Sequence, residues 1–162
     1  MGVLVDHVRS SIELPERVVD SYLKDLASAE LLIRPHPKAN HMAWQLGHLL
    51  VSETKHLRAI REGSMSPLSP EFVSKHSKER CSDDTGFLTK EEYVHRILLQ
   101  RGEIRDLLLT LSDDELLTPS PESIRYLGPT VACVFTGNAS HWMMHVGQWA
   151  VVRRLLEKPI LF

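Results

Sequence analysis

Hydrophobic positions along this chain recur every three to four residues over long stretches, and no run of four to eight residues alternates apolar and polar as a half-buried strand would. That period belongs to helices. The first periodic stretch runs from about Leu4 to Leu26, with Val8, Ile12, Val19, Leu23 and Leu26 as candidate core positions. Pro15 predicts a kink or break part-way along it. Pro35 and Pro37 close the region, and Asn40 offers an N-cap for a second helix that continues to about Glu62 and stops at Gly63.

A polar tract punctuated by Gly63, Pro67 and Pro70 follows, from residue 63 to residue 88, with a short turn of helix predicted at Pro70–Val73. Connections of that length often line a functional opening. Thr89-Lys90-Glu91-Glu92 opens a third helix reaching about Leu111, its acidic first turn matching the helix dipole. Ser112-Asp113-Asp114-Glu115 starts a further piece that Pro119 and Pro121 keep short. The last helix is predicted from about Thr130 to Glu157, before Pro159, and Phe135, Trp142, Trp149 and Leu156 mark one stripe at seven-residue spacing. The pattern predicts an all-α fold: a four-helix bundle with a long connection between the second and third helices, in one domain spanning 1–162.

Composition changes this picture little. Hydrophobic content of 43% and charged content of 25% fit a globular domain with a real core. A net charge of −2 with scattered basic residues gives no footprint for nucleic acid or an anionic membrane. The apolar stretches are short and interrupted by charge, which argues against a spanning helix, and the first residues do not read as a signal peptide. Cys81 and Cys133 stand far apart, outside any C-x2-C spacing, and read as free thiols. The expectation is a cytoplasmic protein without nucleic-acid or membrane partners.

The candidate chemistry lies in histidines. His141 and His145, four apart in a helical pattern, project from one face, where two imidazoles can reach one cation at roughly 2.0–2.1 Å. Nine histidines in 162 residues make one such pair a frequent coincidence, so a third ligand is required. His48, mid-way along the second helix beside Leu46, Leu49 and Leu50, reads either as a hydrogen-bonded core residue or as a ligand facing another helix. His41, close to the helix start, reads first as an exposed rim position and second as a ligand position, and His7, His36, His56, His76 and His95 read as surface residues. Glu53 and Glu103 lack the paired Glu-x-x-His pattern of a di-metal site. Trp142, Trp149, Met143 and Met144 read as core and pocket lining. No nucleophile elbow, phosphate loop, dinucleotide-binding glycine pattern or H-E-x-x-H is present.

Two segments carry a resemblance. Ile33-Arg34-Pro35 followed by Asn40-His41-Met42-Ala43-Trp44-Gln45-Leu46-Gly47-His48-Leu49 and Glu53 resembles the second-helix signature of the DinB/YfiT-like superfamily. His141-Trp142-Met143-Met144-His145-Val146-Gly147-Gln148, then Arg153-Arg154 and Lys158-Pro159, is similar to that family's closing helix. A weaker likeness runs from Phe72 to Leu117. Glu157 departs from the pattern, which often has glycine before Lys-Pro.

The resemblance implies a four-helix bundle, often a homodimer, holding a divalent metal through three histidines that by position are His48, His141 and His145. Relatives include transferases and isomerases that use a low-molecular-weight thiol, and many members have no known activity. Three neutral ligands would leave the ion an open position for water or a thiol. Zinc and nickel are the first choices, and iron and manganese also accept imidazole. Trp44, Gln45, Ser52, Met144 and Gln148 are expected to line the pocket or to brace the imidazoles from behind. Two functions remain open: a metal-dependent thiol transferase or hydrolase acting on a small molecule, and a non-catalytic metal-fastened dimer or interaction module.

Overall fold

The computed structural model describes residues 2–161. Four long helices dominate it: α1 (Val3–Leu23), α2 (Met42–Ile60), α4 (Lys90–Leu109) and α6 (Val131–Leu155), with the shorter α3 (Pro70–Lys75) and α5 (Asp113–Leu117) between them. Three 3-10 turns, Ser28–Leu32, Lys78–Arg80 and Glu122–Leu127, complete the helical structure. Among the described residues there is no strand, only a single bridge between Pro119 and Thr130. The all-α expectation holds.

Local chemistry fixes most helix starts. Thr89 accepts from the backbone N–H of Glu92 while Glu92 reaches back to Thr89, and Ser112 and Glu115 repeat this reciprocal cap on α5. Thr130 caps α6 through the N–H of Cys133, and Ser69 caps α3 just ahead of Pro70. The start of α1 borrows its cap: Asp113 Oδ1 accepts from the N–H groups of Leu4 and Val5, at 3.1 and 3.0 Å.

Two expectations need correction. Of the kink or break expected at Pro15, the break does not occur: α1 runs through the proline as one helix, and Pro15 is among its buried residues. The cap of α2 is His41, not Asn40. The His41 Nδ1 accepts from the N–H of Trp44 at 3.1 Å, and its Nε2–H donates to the carbonyl of Asp83 at 2.9 Å. Asn40 instead gives its carbonyl to the side chain of Gln45.

The long helices pack in a ring: α1 on α6, α6 on α2, α2 on α4, and α4 back on α1. Their apolar stripes fill two clusters. One gathers Val19, Leu23, Leu46, Leu49, Tyr93, Ile97, Trp142 and Trp149; the other gathers Val5, Val8, Ile12, Leu57, Ile104, Leu108, Val134 and Phe135. The Phe135, Trp142 and Trp149 stripe is buried throughout, and Leu156 packs on the first cluster from the end of α6. The connection between α2 and α4 is not loose. Arg34 donates to the carbonyls of Ala39, Cys81 and Asp83 and to the Asp84 carboxylate, pinning the segment before α2 to the segment after α3.

No helix among the described residues is long and apolar enough to cross a membrane. Cys81 and Cys133 are free thiols.

Candidate metal centre

Two of the facing helices bring three imidazoles together. His48 projects from α2 and His141 and His145 from α6, with one nitrogen of each within 4.8 Å of the others. Ring centroids are 5.3 Å apart for His48 and His141, 5.7 Å for His48 and His145, and 5.0 Å for His141 and His145. Two nitrogens on one zinc ion at about 2.1 Å each can stand at most about 4.2 Å apart, so small rotations of side chains close this set on a cation. The donors are all imidazole, a set suited to zinc, nickel and iron. Among the described residues, this is the group of histidine, cysteine and carboxylate side chains able to share an ion.

Electrostatics leave these rings neutral at pH 7. Burial pushes His48 down to about 4, with His141 beside it adding to the effect. Burial likewise pushes His145 down to about 4, reinforced by His141 and His48. His141 is held below its ordinary value by burial and then by His56. A neutral imidazole offers a lone pair, the form a metal requires.

Gln45 settles which nitrogen of His145 offers it. Trp149 Nε1 can only donate, and it does so to Gln45 Oε1 at 2.7 Å. The amide nitrogen of Gln45 donates to the carbonyl of Asn40 at 2.6 Å and to Gln148 Oε1 at 3.0 Å. With the oxygen thus assigned, His145 Nδ1, 3.0 Å away, must carry its proton and donate, which leaves Nε2 free. Metal-ligating histidines usually have such a partner on the other nitrogen. Trp44 stacks on His48 at 4.8 Å, with planes 8° apart, and is itself fixed by donating to the carbonyl of Ser77.

The imidazoles open into a cleft of about 770 Å³ lined by His48, Ser52, Lys55, His56, Lys78, Tyr126, His141 and Met144. Met144 is 71% exposed at its edge. Of the expected pocket residues, Ser52 and Met144 line the cleft, while Trp44 and Gln45 stand behind the histidines and Gln148 braces Gln45. Glu53 faces elsewhere. Its Oε2 accepts from Trp142 Nε1 at 2.9 Å in a small separate cavity walled by Ile97, Arg101, Ile104 and Phe135. Glu53 keeps some exposed surface, yet enclosure of its carboxyl pushes it up to about 7, against the opposing Trp142 hydrogen bond.

Three histidines expected at the surface or rim are buried. His41 caps α2. His76 donates from Nδ1 to the carbonyl of Phe72 and accepts the hydroxyl of Tyr93 on Nε2, at 2.8 and 2.7 Å. His56, only 4% exposed, joins Asn138 and Tyr126. Helical register carried a signal for Asn138, which lies three residues before His141 and on the same face. Tyr126 gave none, because its position depends on how the 3-10 turn Glu122–Leu127 folds back on α6.

The model of the DinB superfamily matches residues 12–149, a span that takes in all three imidazoles and most of the fold. No curated protein matches the chain.

Proposed function

The chain belongs to the DinB superfamily, and we propose on that footing that it is a divalent-metal-dependent enzyme acting on a small molecule, with His48, His141 and His145 as ligands. The single observation that supports this reading is the convergence of three neutral imidazoles from two helices on a cleft wide enough for a small molecule. Zinc or nickel is the favoured ion, with iron or manganese as further candidates.

An ion held by His48, His141 and His145 would keep its full double charge, because the three imidazoles are neutral, and would supply Lewis acidity to a molecule bound beside it. The chain's own side chains do the rest. Gln45 holds His145 with Nε2 toward the site, and Trp44 fixes the plane of His48. Lys55 and Lys78 at the cleft favour an anionic guest, and a low-molecular-weight thiol bearing a carboxylate or phosphate fits that charge. The reaction we favour is thiol transfer, with hydrolysis as the alternative. We read the ring of long helices as a four-helix bundle that works as a homodimer in the cytoplasm.

The competing reading is a bundle whose histidines only fasten helices. A seal over the site by Trp44 and Met144 would favour it. Met144 instead stands exposed at the cleft edge, and Trp44 is turned toward Ser77.

Metal analysis of the protein purified without a metal-affinity tag tests the proposal. The expected result is about one equivalent of metal in the native chain, lost in His48→Ala and His145→Ala. A native chain that carries none, and takes up none when offered zinc, nickel, iron or manganese, overturns it.

A further inference from the structure

Tyr126 is 74% exposed, yet its hydroxyl turns inward and lies 2.6 Å from Nε2 of the buried His56. The opposite nitrogen, Nδ1, lies 2.7 Å from Oδ1 of Asn138, which is 1% exposed. An amide oxygen can only accept, so Nδ1 carries the proton and Nε2 accepts the Tyr126 O–H. The result is a chain of phenol, imidazole and amide with a neutral base at its centre. His56 sits on α2 and Asn138 on α6, the same two helices that carry His48, His141 and His145, while Tyr126 comes from the 3-10 turn Glu122–Leu127; both Tyr126 and His56 line the same cleft.

Satisfying the buried Nε2 of His56 accounts for part of this chain, since an unpaired buried acceptor costs about 1–3 kcal/mol. It does not account for the choice of a phenol that is itself 74% exposed and faces the cleft. Asn138 moreover leaves its own Nδ2 buried without a partner among the described residues, so the amide serves the imidazole at its own expense. With the amide reversed, Nδ2 would donate to Nδ1, Nε2–H would donate to the phenol oxygen, and no base would face Tyr126.

We propose that Tyr126 and His56 form a proton-transfer pair in this cleft, Tyr126 being the residue that touches the bound molecule and His56 the base behind it. The inference rests on reading the cleft as an active site. A small molecule bearing an S–H or O–H gives its proton to the Tyr126 oxygen as the Tyr126 proton passes to Nε2 of His56. The electron pair of the broken bond stays on the molecule's sulfur or oxygen, and Asn138 Oδ1 holds the imidazolium that forms. Run backwards, the same steps protonate a leaving group. The pair adds what the three metal-facing imidazoles cannot supply, since their lone pairs are the ones committed to ligation.

Burial keeps His56 below its ordinary value, the Asn138 contact opposes this, and Lys55 adds to the burial effect. Among the groups around it, Lys55 brings positive charge, while His48 and His141 across the cleft are neutral at pH 7. His56 is therefore free to accept a proton at neutral pH.

Acetylation of metal-free protein with N-acetylimidazole, read by mass spectrometry of the Tyr126 peptide, tests the pair without a known substrate. His56 should remove the phenol proton as the oxygen attacks the acetyl group. Tyr126 is expected to react at least tenfold faster at pH 7 in the native chain than in His56→Gln, which keeps an acceptor but no base. In the native chain alone the rate should stay nearly flat between about pH 7 and 8, where an unassisted phenol climbs about tenfold per pH unit. Equal rates in the two proteins, or an unassisted profile in the native one, overturn the pair. On zinc-loaded protein, saturating 2-mercaptoethanol should slow acetylation at least threefold; unchanged labelling overturns the placing of Tyr126 against the bound molecule. A chain that binds no zinc would sink the metal reading, while the metal-free comparison would still decide the pair.

Discussion

The side-chain oxygen of Gln45 lies 3.0 Å from Nδ1 of His145, so a residue on α2 decides which nitrogen of a histidine on α6 is free. The same oxygen takes the Trp149 N–H, and the amide nitrogen takes two further partners, so Gln45 is locked before any ion arrives. Gln45→Leu keeps the volume and removes the lock. Zinc affinity, measured by competition with a chromophoric chelator, should fall about 10–100-fold while the helical circular dichroism is retained. An unchanged affinity would show that the tautomer of His145 needs no help.

Gly47 and His76 make a second pair with a measurable consequence. A Cβ on Gly47 would lie 2.1 Å from the His76 ring, so Gly47→Ala should destabilise the chain by about 1–3 kcal/mol in denaturant titrations. His76 is buried, and burial pushes it down to about 4. Its folded value lies below its unfolded one, so as pH falls below about 6.5 the unfolded chain takes the proton first. The stability from His76 is complete above pH 6.5 and declines between there and pH 4, by about 3 kcal/mol at pH 4. His76→Gln should be less stable at pH 7 and lose less on acidification.

Glu53 has the opposite slope. Its folded value, about 7, lies above the ordinary carboxyl value, so the folded chain holds the proton more tightly and stability falls as pH rises from about 4.5 through 7. Glu53→Gln keeps an acceptor for Trp142 and never ionises. Thermal melts should find the variant more stable than the native chain by about 2 kcal/mol at pH 8, after allowance for partial solvent screening, and little different at pH 5. A variant with no advantage at pH 8 would mean that the carboxylate is solvated.

Glu157, at the end of α6, adopts a left-handed backbone with φ of 55°. This is the position at which the resemblance expects glycine, and where helices commonly end in that conformation. A side chain there costs about 1 kcal/mol. Glu157→Gly should raise the melting temperature without altering metal uptake.

Much of the fold was legible because it is local. Caps at Thr89, Ser112 and Thr130 act within three residues of themselves, and the long helices carry their period in plain sight. The three-imidazole cluster was legible in part: His141 and His145 share a helix face, while His48 could be read from its pattern as core or ligand and was singled out only by the resemblance. The buried histidines were not legible. His41, His56 and His76 are satisfied by Asp83, Asn138 and Tyr93, which are 42, 82 and 17 residues away in the chain. A polar residue in an apolar pattern says that it needs a partner, but not whether the fold will provide one. The break expected at Pro15 failed for a related reason: the proline is buried inside α1, and the local pattern does not show what packs around it.

Arg34 gives the cleft a mechanical character. By binding three backbone carbonyls and the Asp84 carboxylate, it welds the strand of chain entering α2 to the segment that follows Lys78. The jaw that carries His76 and Lys78 is thereby anchored, and the opposite jaw is a helix held along its length by α1 and α2. Both walls are thus tied into the bundle by contacts outside the cleft, and the long exposed side chains of Met144, Lys55 and Lys78 are the parts of its rim with the most freedom to adjust.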